Sequence, residues 1–272
     1  DYREDQPYGV SHNTPISLSA TTHYFMVIDY LVQAAEMLSK KEDITFYSNL
    51  REEVRTAFNK EFFNEDTKQY GTGSQASNAM PLFAGLVNPQ DKQSVLDNLV
   101  KDIEEKGYRL STGDVGNRYL FQALARNGLN EVMYKMHNHN EVPGYGFQLQ
   151  FGATTLTELW DPRKGASWNH FMMGQIEEWF YRSLAGIDVE ENAYTGFKNF
   201  KIAPQVVGDL TYVNASYNTL YGTIKVDWKV DNGQFEMDIE VPINCEAKVY
   251  LPQETNYTAV KSGKYSFKKR LQ

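Results

Sequence analysis

The sequence predicts a mainly α-helical region followed by a smaller antiparallel β-sandwich. Up to about Gly186, apolar residues recur every three to four positions, the spacing that places them on one face of a helix. Beyond that point they alternate with polar residues, which is typical of half-buried strands. A chain of 272 residues, 41% of them hydrophobic, is long enough for one large domain or two smaller ones.

The helical region begins with a recognisable start signal. Thr14 and Pro15 are predicted to open the first helix, since threonine can accept from an unpaired N–H group and proline fits the first turn. An apolar stripe then covers residues 20–38, and Asp43 is predicted to cap a second helix. Short connections between the helices favour antiparallel hairpins. Five further helices are predicted, over 76–86, 89–105, 116–127, 129–137 and 169–185.

The β region contains one clear hairpin. Apolar and charged residues alternate over 224–230 and again over 235–241. Between them lies Asp231-Asn232-Gly233, in which asparagine and glycine tolerate the positive φ that a tight turn requires. Further strands are predicted over 210–217 and 248–252, which gives a sandwich of about 80 residues.

Composition excludes several classes of function. The net charge of −8, without a cluster of lysine and arginine, argues against binding to nucleic acid. The chain contains no run of about 18 apolar residues, so no membrane span is predicted. The single cysteine, Cys245, cannot form an internal disulfide and is predicted to fill space in a strand. His137-Asn138-His139 has no carboxylate or cysteine partner at ligand spacing, so a solvated loop is predicted there, and neither a metal nor a cofactor.

Polar and aromatic residues are most concentrated in the stretch VPGYGFQLQFGATTLTELWDPRKGASWNH, residues 142–170. Glu158 and Asp161 are three positions apart and would share one face if the segment were helical. A carboxylate beside a tryptophan suits general acid or base work, because desolvation disfavours its charged form. The same residues also fit a structural role, with Trp160 and Trp168 in the core and Glu158 capping a turn. Spacing alone leaves both interpretations open.

Five stretches of the chain carry a resemblance to a known family. GATTLTELWD (152–161) and SWNHFMMGQIEEWFYRSLAGI (167–187) lie close together. They are preceded by NTPISLSATTHYF (13–25) and LSTGDVGNRYLFQALARNG (110–128), and followed by GFKNFKIAPQVVGDLTYVNASYNTLYGTIKVDW (196–228). In this order they resemble the C-terminal part of the bacterial α-L-rhamnosidases of glycoside hydrolase family 78. The resemblance implies helical hairpins from part of an (α/α)6 catalytic barrel over residues 1–187 and a C-terminal β-sandwich over 188–272.

The resemblance also implies roles for individual residues. Glu158 stands at the position of the family's general base, which activates water, and His170 at that of an active-site histidine that contacts the sugar. The remaining substrate-binding candidates are Trp160 and Asp161 in the cleft wall, Tyr145 as a stacking platform and Thr112 in a turn at the rim.

Three residues depart from the family pattern. Thr157 replaces a bulky aromatic residue before the base, and Leu159 replaces the usual arginine after it. Asp114 stands where the family has an apolar residue. These differences alter a wall of the pocket, so the rhamnosyl linkage and the aglycone stay unassigned.

The family's general acid lies on a segment upstream of Asp1, so we expect it to be absent from these residues. Inverting hydrolysis uses two carboxyl groups about 6.5–9.5 Å apart, and each contributes about 10²–10⁴-fold to the rate. We therefore expect this chain to be part of an inverting enzyme that releases terminal α-L-rhamnose from a glycan or glycoside, and to be nearly inactive alone. We also expect it to pair with its own N-terminal fragment or to self-associate, because a partial barrel exposes apolar stripes.

Two alternatives from other classes remain at this stage. One is a helical enzyme acting on a different sugar, as a lyase or a hydrolase, and the other is a non-catalytic glycan-binding module. Members of the resembled family are often exported, which favours a periplasmic or extracellular parent protein, although no export signal opens this chain.

Overall fold

The computed structural model describes residues 13–190 and 196–271. The chain divides into two compact units, Asp1–Gly174 and Gln175–Gln272. The first is helical and the second consists mainly of β-sheets, so the predicted fold class is confirmed. None of the helices in these two ranges combines the length and hydrophobicity needed to cross a bilayer.

Two long helices open the first unit, α1 (Ile16–Met37) and α2 (Lys41–Phe62), and they pack against each other. A short ribbon of β1 (Phe63–Asn64) and β2 (Gln69–Tyr70) follows. The remaining elements of this unit are α3 (Gln75–Ala84), α4 (Lys92–Glu105), α5 (Asp114–Arg126), α6 (Asn130–His137), α7 (Tyr145–Leu149) and the 3₁₀ turns Pro162–Lys164 and Phe171–Met173.

The long helix α1 carries apolar side chains on two sides. One side is buried within the unit because its members recur at helical spacing: Leu18, Phe25, Ile28 and Val32. The other side includes Tyr24, Val27 and Tyr30, which are 50%, 54% and 60% exposed. Helix α1 therefore presents an open apolar stripe, which we call the α1 stripe.

Two predicted helix starts are wrong in detail. Thr14 does not cap α1; its hydroxyl pairs with that of Ser74 at 3.0 Å, and Pro15 occupies the cap position without a side-chain bond. Asp43 lies inside the first turn of α2, which begins at Lys41. In both helices the cap residue contributes only its carbonyl, Pro15 to the Ser19 N–H at 3.2 Å and Lys40 to the Ile44 N–H at 2.9 Å, without a side-chain cap.

The predicted helix over 169–185 is replaced by three short pieces. After the 3₁₀ turn at Phe171–Met173 come α8 (Ile176–Trp179) and a π-helical turn, Phe180–Leu184. A continuous helix over 169–185 is excluded because His170 has φ of −121° and ψ of 78°, outside the helical region. The backbone here belongs to the loop instead: the Asn169 N–H bonds to the Ser167 hydroxyl at 3.2 Å and the His170 N–H to the Leu156 carbonyl at 2.9 Å.

The second unit contains two four-stranded sheets with strand orders β10-β7-β6-β5 and β3-β4-β8-β9. Its strands are β3 (Ile187–Asp188), β4 (Asn199–Ile202), β5 (Tyr212–Thr219), β6 (Gly222–Asp231), β7 (Gln234–Val241), β8 (Glu246–Val249), β9 (Thr258–Val260) and β10 (Gly263–Arg270). All pairs are antiparallel, as predicted, except β4 with β8, which is parallel.

The predicted hairpin is present as β6 and β7. Asp231 pairs with Gln234, and the two residues between them, Asn232 and Gly233, have φ of 49° and 75°. The inner faces of both sheets contribute to one core that includes Trp228, Phe235 and Phe200, together with the buried thiol of Cys245. Desolvation in that core raises the pKa of the thiol, which fits the space-filling role predicted for it.

Candidate active site

Glu158 and His170 lie on two loop segments that pair through their backbones. The Glu158 N–H donates to the Ser167 carbonyl at 2.9 Å, and the His170 N–H donates to the Leu156 carbonyl at 2.9 Å. A third bond runs from the Ser167 N–H to Glu158 Oε2 at 3.2 Å. The segment around Glu158 is not helical, so Glu158 and Asp161 do not share a helical face. The site is instead organised by this paired loop, residues 156–170.

The imidazole of His170 lies between two carboxylates. Its Nδ1 is 4.0 Å from Glu158 Oε2, and its Nε2 is 3.8 Å from Asp114 Oδ2 at the first residue of α5. The three side chains are partly accessible, with exposures of 21% for His170, 26% for Glu158 and 40% for Asp114. The paired loop and the start of α5 therefore bring together one imidazole and two carboxylates within reach of solvent.

A buried amide supports the residues on either side of Glu158. The side chain of Gln148, from α7, donates to the carbonyl groups of Thr157 and Leu159, each at 3.3 Å, and accepts from the Thr157 N–H at 3.4 Å. The Thr157 hydroxyl also donates to the Leu159 carbonyl at 2.7 Å. Thr157 and Leu159 are buried, and their bonds fix the backbone beside Glu158. Gln148 was not among the sequence candidates, because its role depends on hydrogen bonds to residues outside α7, which a sequence pattern does not show.

Trp160 and Thr112 form a buried link between the paired loop and the start of α5. The Trp160 indole, 4% exposed, donates from Nε1 to the Thr112 carbonyl at 2.7 Å. The Thr112 hydroxyl donates to Asn117 Oδ1 at 3.0 Å. The Tyr145 ring meets the Trp160 ring edge-on, with centroids 5.1 Å apart. These three candidates lie together, and Trp160 and Thr112 face protein on nearly all sides.

The Asp161 carboxylate is held by an arginine. Arg163 donates to it from Nε and Nη2, each at 2.8 Å, and from its backbone N–H at 3.1 Å. The Arg163 hydrogen bond is the largest influence that holds the pKa of Asp161 below its ordinary value. Asp161 is therefore ionised and committed to the turn at Pro162–Lys164.

Exposed aromatic side chains flank His170 in sequence. Trp168 is 42% exposed and donates from Nε1 to the Pro162 carbonyl at 3.3 Å, and Phe171 is 84% exposed. Phe171 was not among the sequence candidates. Both rings offer exposed apolar surface on the segment that carries His170.

Within 13–190 and 196–271, no three His, Cys, Asp or Glu side chains are arranged so that they could hold a metal ion. The expected solvated loop at His137 is only partly correct. Both ring nitrogens of His137 are shielded from solvent, and its ring contacts those of Phe121 and Tyr145. Burial, with a smaller effect of the neighbouring His139, lowers the pKa of His137 to about 3.

Comparison with known proteins matches both units. Residues 1–184 match the bacterial alpha-L-rhamnosidase 6 hairpin glycosidase domain, and residues 186–266 match the bacterial alpha-L-rhamnosidase C-terminal domain. An alpha-L-rhamnosidase of Formosa agariphila is 30% identical over 264 residues, which are 92% of this chain and 28% of that protein. One from Streptomyces avermitilis is 30% identical over 254 residues, which are 90% of this chain and 24% of that protein.

Solved structures agree. The alpha-L-rhamnosidase from Dictyoglumus thermophilum is 32% identical with a TM-score of 0.88, covering 97% of this chain and 33% of that one. The Streptomyces avermitilis alpha-L-rhamnosidase complexed with L-rhamnose is 28% identical with a TM-score of 0.87, covering 98% of this chain and 28% of that one. The chain thus spans a third or less of the length of these relatives. Because one family model covers the whole helical region and a second covers the sheets, the chain belongs to the bacterial α-L-rhamnosidase family.

Proposed function

We propose that this chain carries the general-base side of an inverting glycoside hydrolase that releases terminal α-L-rhamnose. Glu158 is the base, and the observation that carries the proposal is its position, partly exposed and beside His170 on the paired loop. One oxygen, Oε2, is oriented by the Ser167 N–H. A carboxylate fixed by a backbone donor is held ready to accept a proton from water without a change of rotamer.

The reaction that this geometry supports is a single displacement. Glu158 removes a proton from a water molecule, whose oxygen attacks the anomeric carbon while the bond to the leaving oxygen breaks. The leaving oxygen takes a proton from an acid on the opposite side of the sugar. Asp161 is unsuited to that second task because its bonds to Arg163 keep it ionised. We propose that the acid comes from a segment outside these 272 residues, in keeping with the share of the relatives that the chain spans.

The remaining candidates have supporting roles in this proposal. His170 contacts the sugar, and the exposed ring of Trp168 offers a stacking surface near it. Trp160, Thr112 and Tyr145 form the wall behind the base and hold the paired loop against α5. The substrate is a rhamnose-containing glycan or glycoside.

The test is the Glu158→Gln variant of the intact protein, assayed on an aryl α-L-rhamnoside. We expect kcat to fall by about 10²–10⁴-fold, because glutamine keeps the shape of the side chain but cannot take the proton. Azide needs no general base, so it should partly restore turnover and yield a β-rhamnosyl azide. The control is Glu61→Gln, an exposed glutamate of α2. An unchanged rate in Glu158→Gln rejects the proposal, and tight rhamnose binding without cleavage by the wild-type protein favours a glycan-binding module.

We also propose that the α1 stripe is covered in the intact protein by further helices of the same polypeptide, and that the isolated 272-residue chain self-associates through it. The stripe places two tyrosines and a valine, each at least half exposed, along one side of α1. Light scattering during size-exclusion chromatography should give a mass above 31.2 kDa for the isolated chain. Tyr24→Lys together with Tyr30→Lys should lower that mass, and a monomeric wild-type chain rejects the proposal.

A further inference from the structure

We propose that Asp114 is the positioning residue of His170: its carboxylate accepts the Nε2–H of the imidazole and leaves Nδ1 as an acceptor beside Glu158. This inference deepens the proposed function and rests on it. It adds Asp114, the first residue of α5, to the residues of the site.

The first step of the argument is the state of the His170 nitrogens. Nε2 is shielded from solvent and has no hydrogen-bond partner in the part of the chain that the structure describes. A shielded ring nitrogen without a partner is costly, because its hydrogen bond to water is lost and not replaced. Asp114 Oδ2 lies 3.8 Å away, so an approach of about 1 Å completes a hydrogen bond. Bonds of this kind are commonly long in a site without substrate and shorten when the substrate binds.

The second step is the rigidity of the Asp114 carboxylate. Its Oδ1 accepts from the Val115 N–H at 2.8 Å, which turns Oδ2 toward His170. The start of α5 is itself tied to the paired loop by the indole of Trp160 on the Thr112 carbonyl. Asp114 and Glu158 are therefore held on opposite sides of one imidazole ring by separate, well-anchored segments.

The third step is the tautomer that this arrangement selects. A lone pair on the shielded Nε2 would face the Asp114 carboxylate with no water to relieve the repulsion, so the proton belongs on Nε2. In the neutral ring Nδ1 is then an acceptor, 4.0 Å from a second acceptor, Glu158 Oε2.

The fourth step concerns what fits between those two acceptors. A water molecule about 2.8 Å from each would donate both protons at an angle of about 90°, close to its own geometry. Its lone pairs would then point away from both side chains. On this geometry Asp114 acts through His170 to orient the water that Glu158 deprotonates.

The experiment is a double-mutant cycle in the intact protein, assayed as kcat/KM on an aryl α-L-rhamnoside. Asp114→Leu should lower kcat/KM by about 10- to 100-fold, the range for a hydrogen bond to a charged group. In a His170→Ala background the same change should cost less than about threefold, because the group through which Asp114 acts is gone. Asp114→Asn has one acceptor oxygen for two donors, the Val115 N–H and His170 Nε2–H, so it should recover only part of the loss. Equal losses in both backgrounds overturn the proposal.

The matched control is Asp43→Leu, since Asp43 also lies in the first turn of a helix and its removal changes the helix terminus in the same way. It should leave kcat/KM unchanged, and a loss equal to that of Asp114→Leu overturns the proposal.

A second readout does not depend on activity. The ring-nitrogen chemical shifts of ¹⁵N-labelled histidine report the tautomer of His170, which should be Nε2–H in the wild type and Nδ1–H in Asp114→Leu, where Glu158 is the remaining carboxylate. An unchanged tautomer overturns the proposal. Failure of the proposed function is seen separately, as full activity in Glu158→Gln.

Discussion

The half-buried histidine at the end of α6, whose ring nitrogens are shielded from solvent, leads to a quantitative prediction about acid stability. The ring of His137 packs edge-on against Phe121 at 4.8 Å and next to Tyr145 at 5.4 Å, and its pKa is lowered to about 3 from 6.5. Between these two values the unfolded chain binds a proton that the native chain excludes. Native stability is therefore complete above pH 6.5 and falls as the pH drops toward 3.

The magnitude follows from the size of the gap. Each pH unit below 6.5 costs about 1.4 kcal/mol, so the loss is about 2 kcal/mol at pH 5 and approaches about 5 kcal/mol at pH 3. A folded domain has about 5–15 kcal/mol of stability in total, so this one side chain accounts for a large part of the acid sensitivity of the helical unit.

The assay compares wild type with His137→Phe, which keeps an aromatic ring but cannot be protonated. Urea unfolding is followed by ellipticity at 222 nm, at pH 7.5 and at pH 5. Between these conditions the variant should lose about 2 kcal/mol less of its free energy of unfolding than the wild type. Met136→Leu, a change at the adjacent buried residue, should shift both values equally. If the wild type and His137→Phe respond to pH alike within about 0.5 kcal/mol, the reasoning from burial is refuted.

Two further predictions concern stability. Gly186→Ala should lower the free energy of unfolding of the β unit by about 2–4 kcal/mol, because φ is +76° and a Cβ would lie 2.3 Å from the Pro204 nitrogen. Gly128→Ala, at the same φ of +76° but with nothing within 4 Å, should cost only about 1 kcal/mol in thermal denaturation; equal losses would remove the steric argument. Trp160→Phe should lower the free energy of unfolding by about 1–3 kcal/mol, because it leaves the Thr112 carbonyl unpaired. Trp168→Phe, at an exposed position, should cost less. The reversed order in calorimetry would contradict this.

Elements whose hydrogen bonds are local were predictable from the spacing of their apolar residues. Helices α3 to α6 begin and end within three residues of the predicted bounds, and the turn at Asn232-Gly233 is correctly placed. Their hydrogen bonds are local, so the pattern of apolar residues determines them. Helix α7 was not predicted, because five residues are too few to show a period.

Features that depend on distant backbone groups were not predictable. The helix expected over 169–185 is interrupted in its first turn, where His170 has a non-helical backbone and bonds to a carbonyl fourteen positions earlier, that of Leu156. The proximity of Asp114 to His170 spans 56 positions and two elements. Family resemblance identified Glu158 and His170 as candidates, whereas the partner of the imidazole appeared only in three dimensions.

Backbone pairing at the base of the loop that carries Glu158 fixes the positions of the side chains there and leaves the tip of the loop unconstrained by these bonds. The bonds that join Glu158 to Ser167 and Leu156 to His170 close the base of this loop, while Arg163, Lys164 and Gly165 at its tip are exposed. Residues added or removed at the tip would therefore change the exposed surface of the loop without altering the spacing of carboxylate and imidazole. Such a hairpin can vary in its outer residues while the two side chains at its base keep their positions.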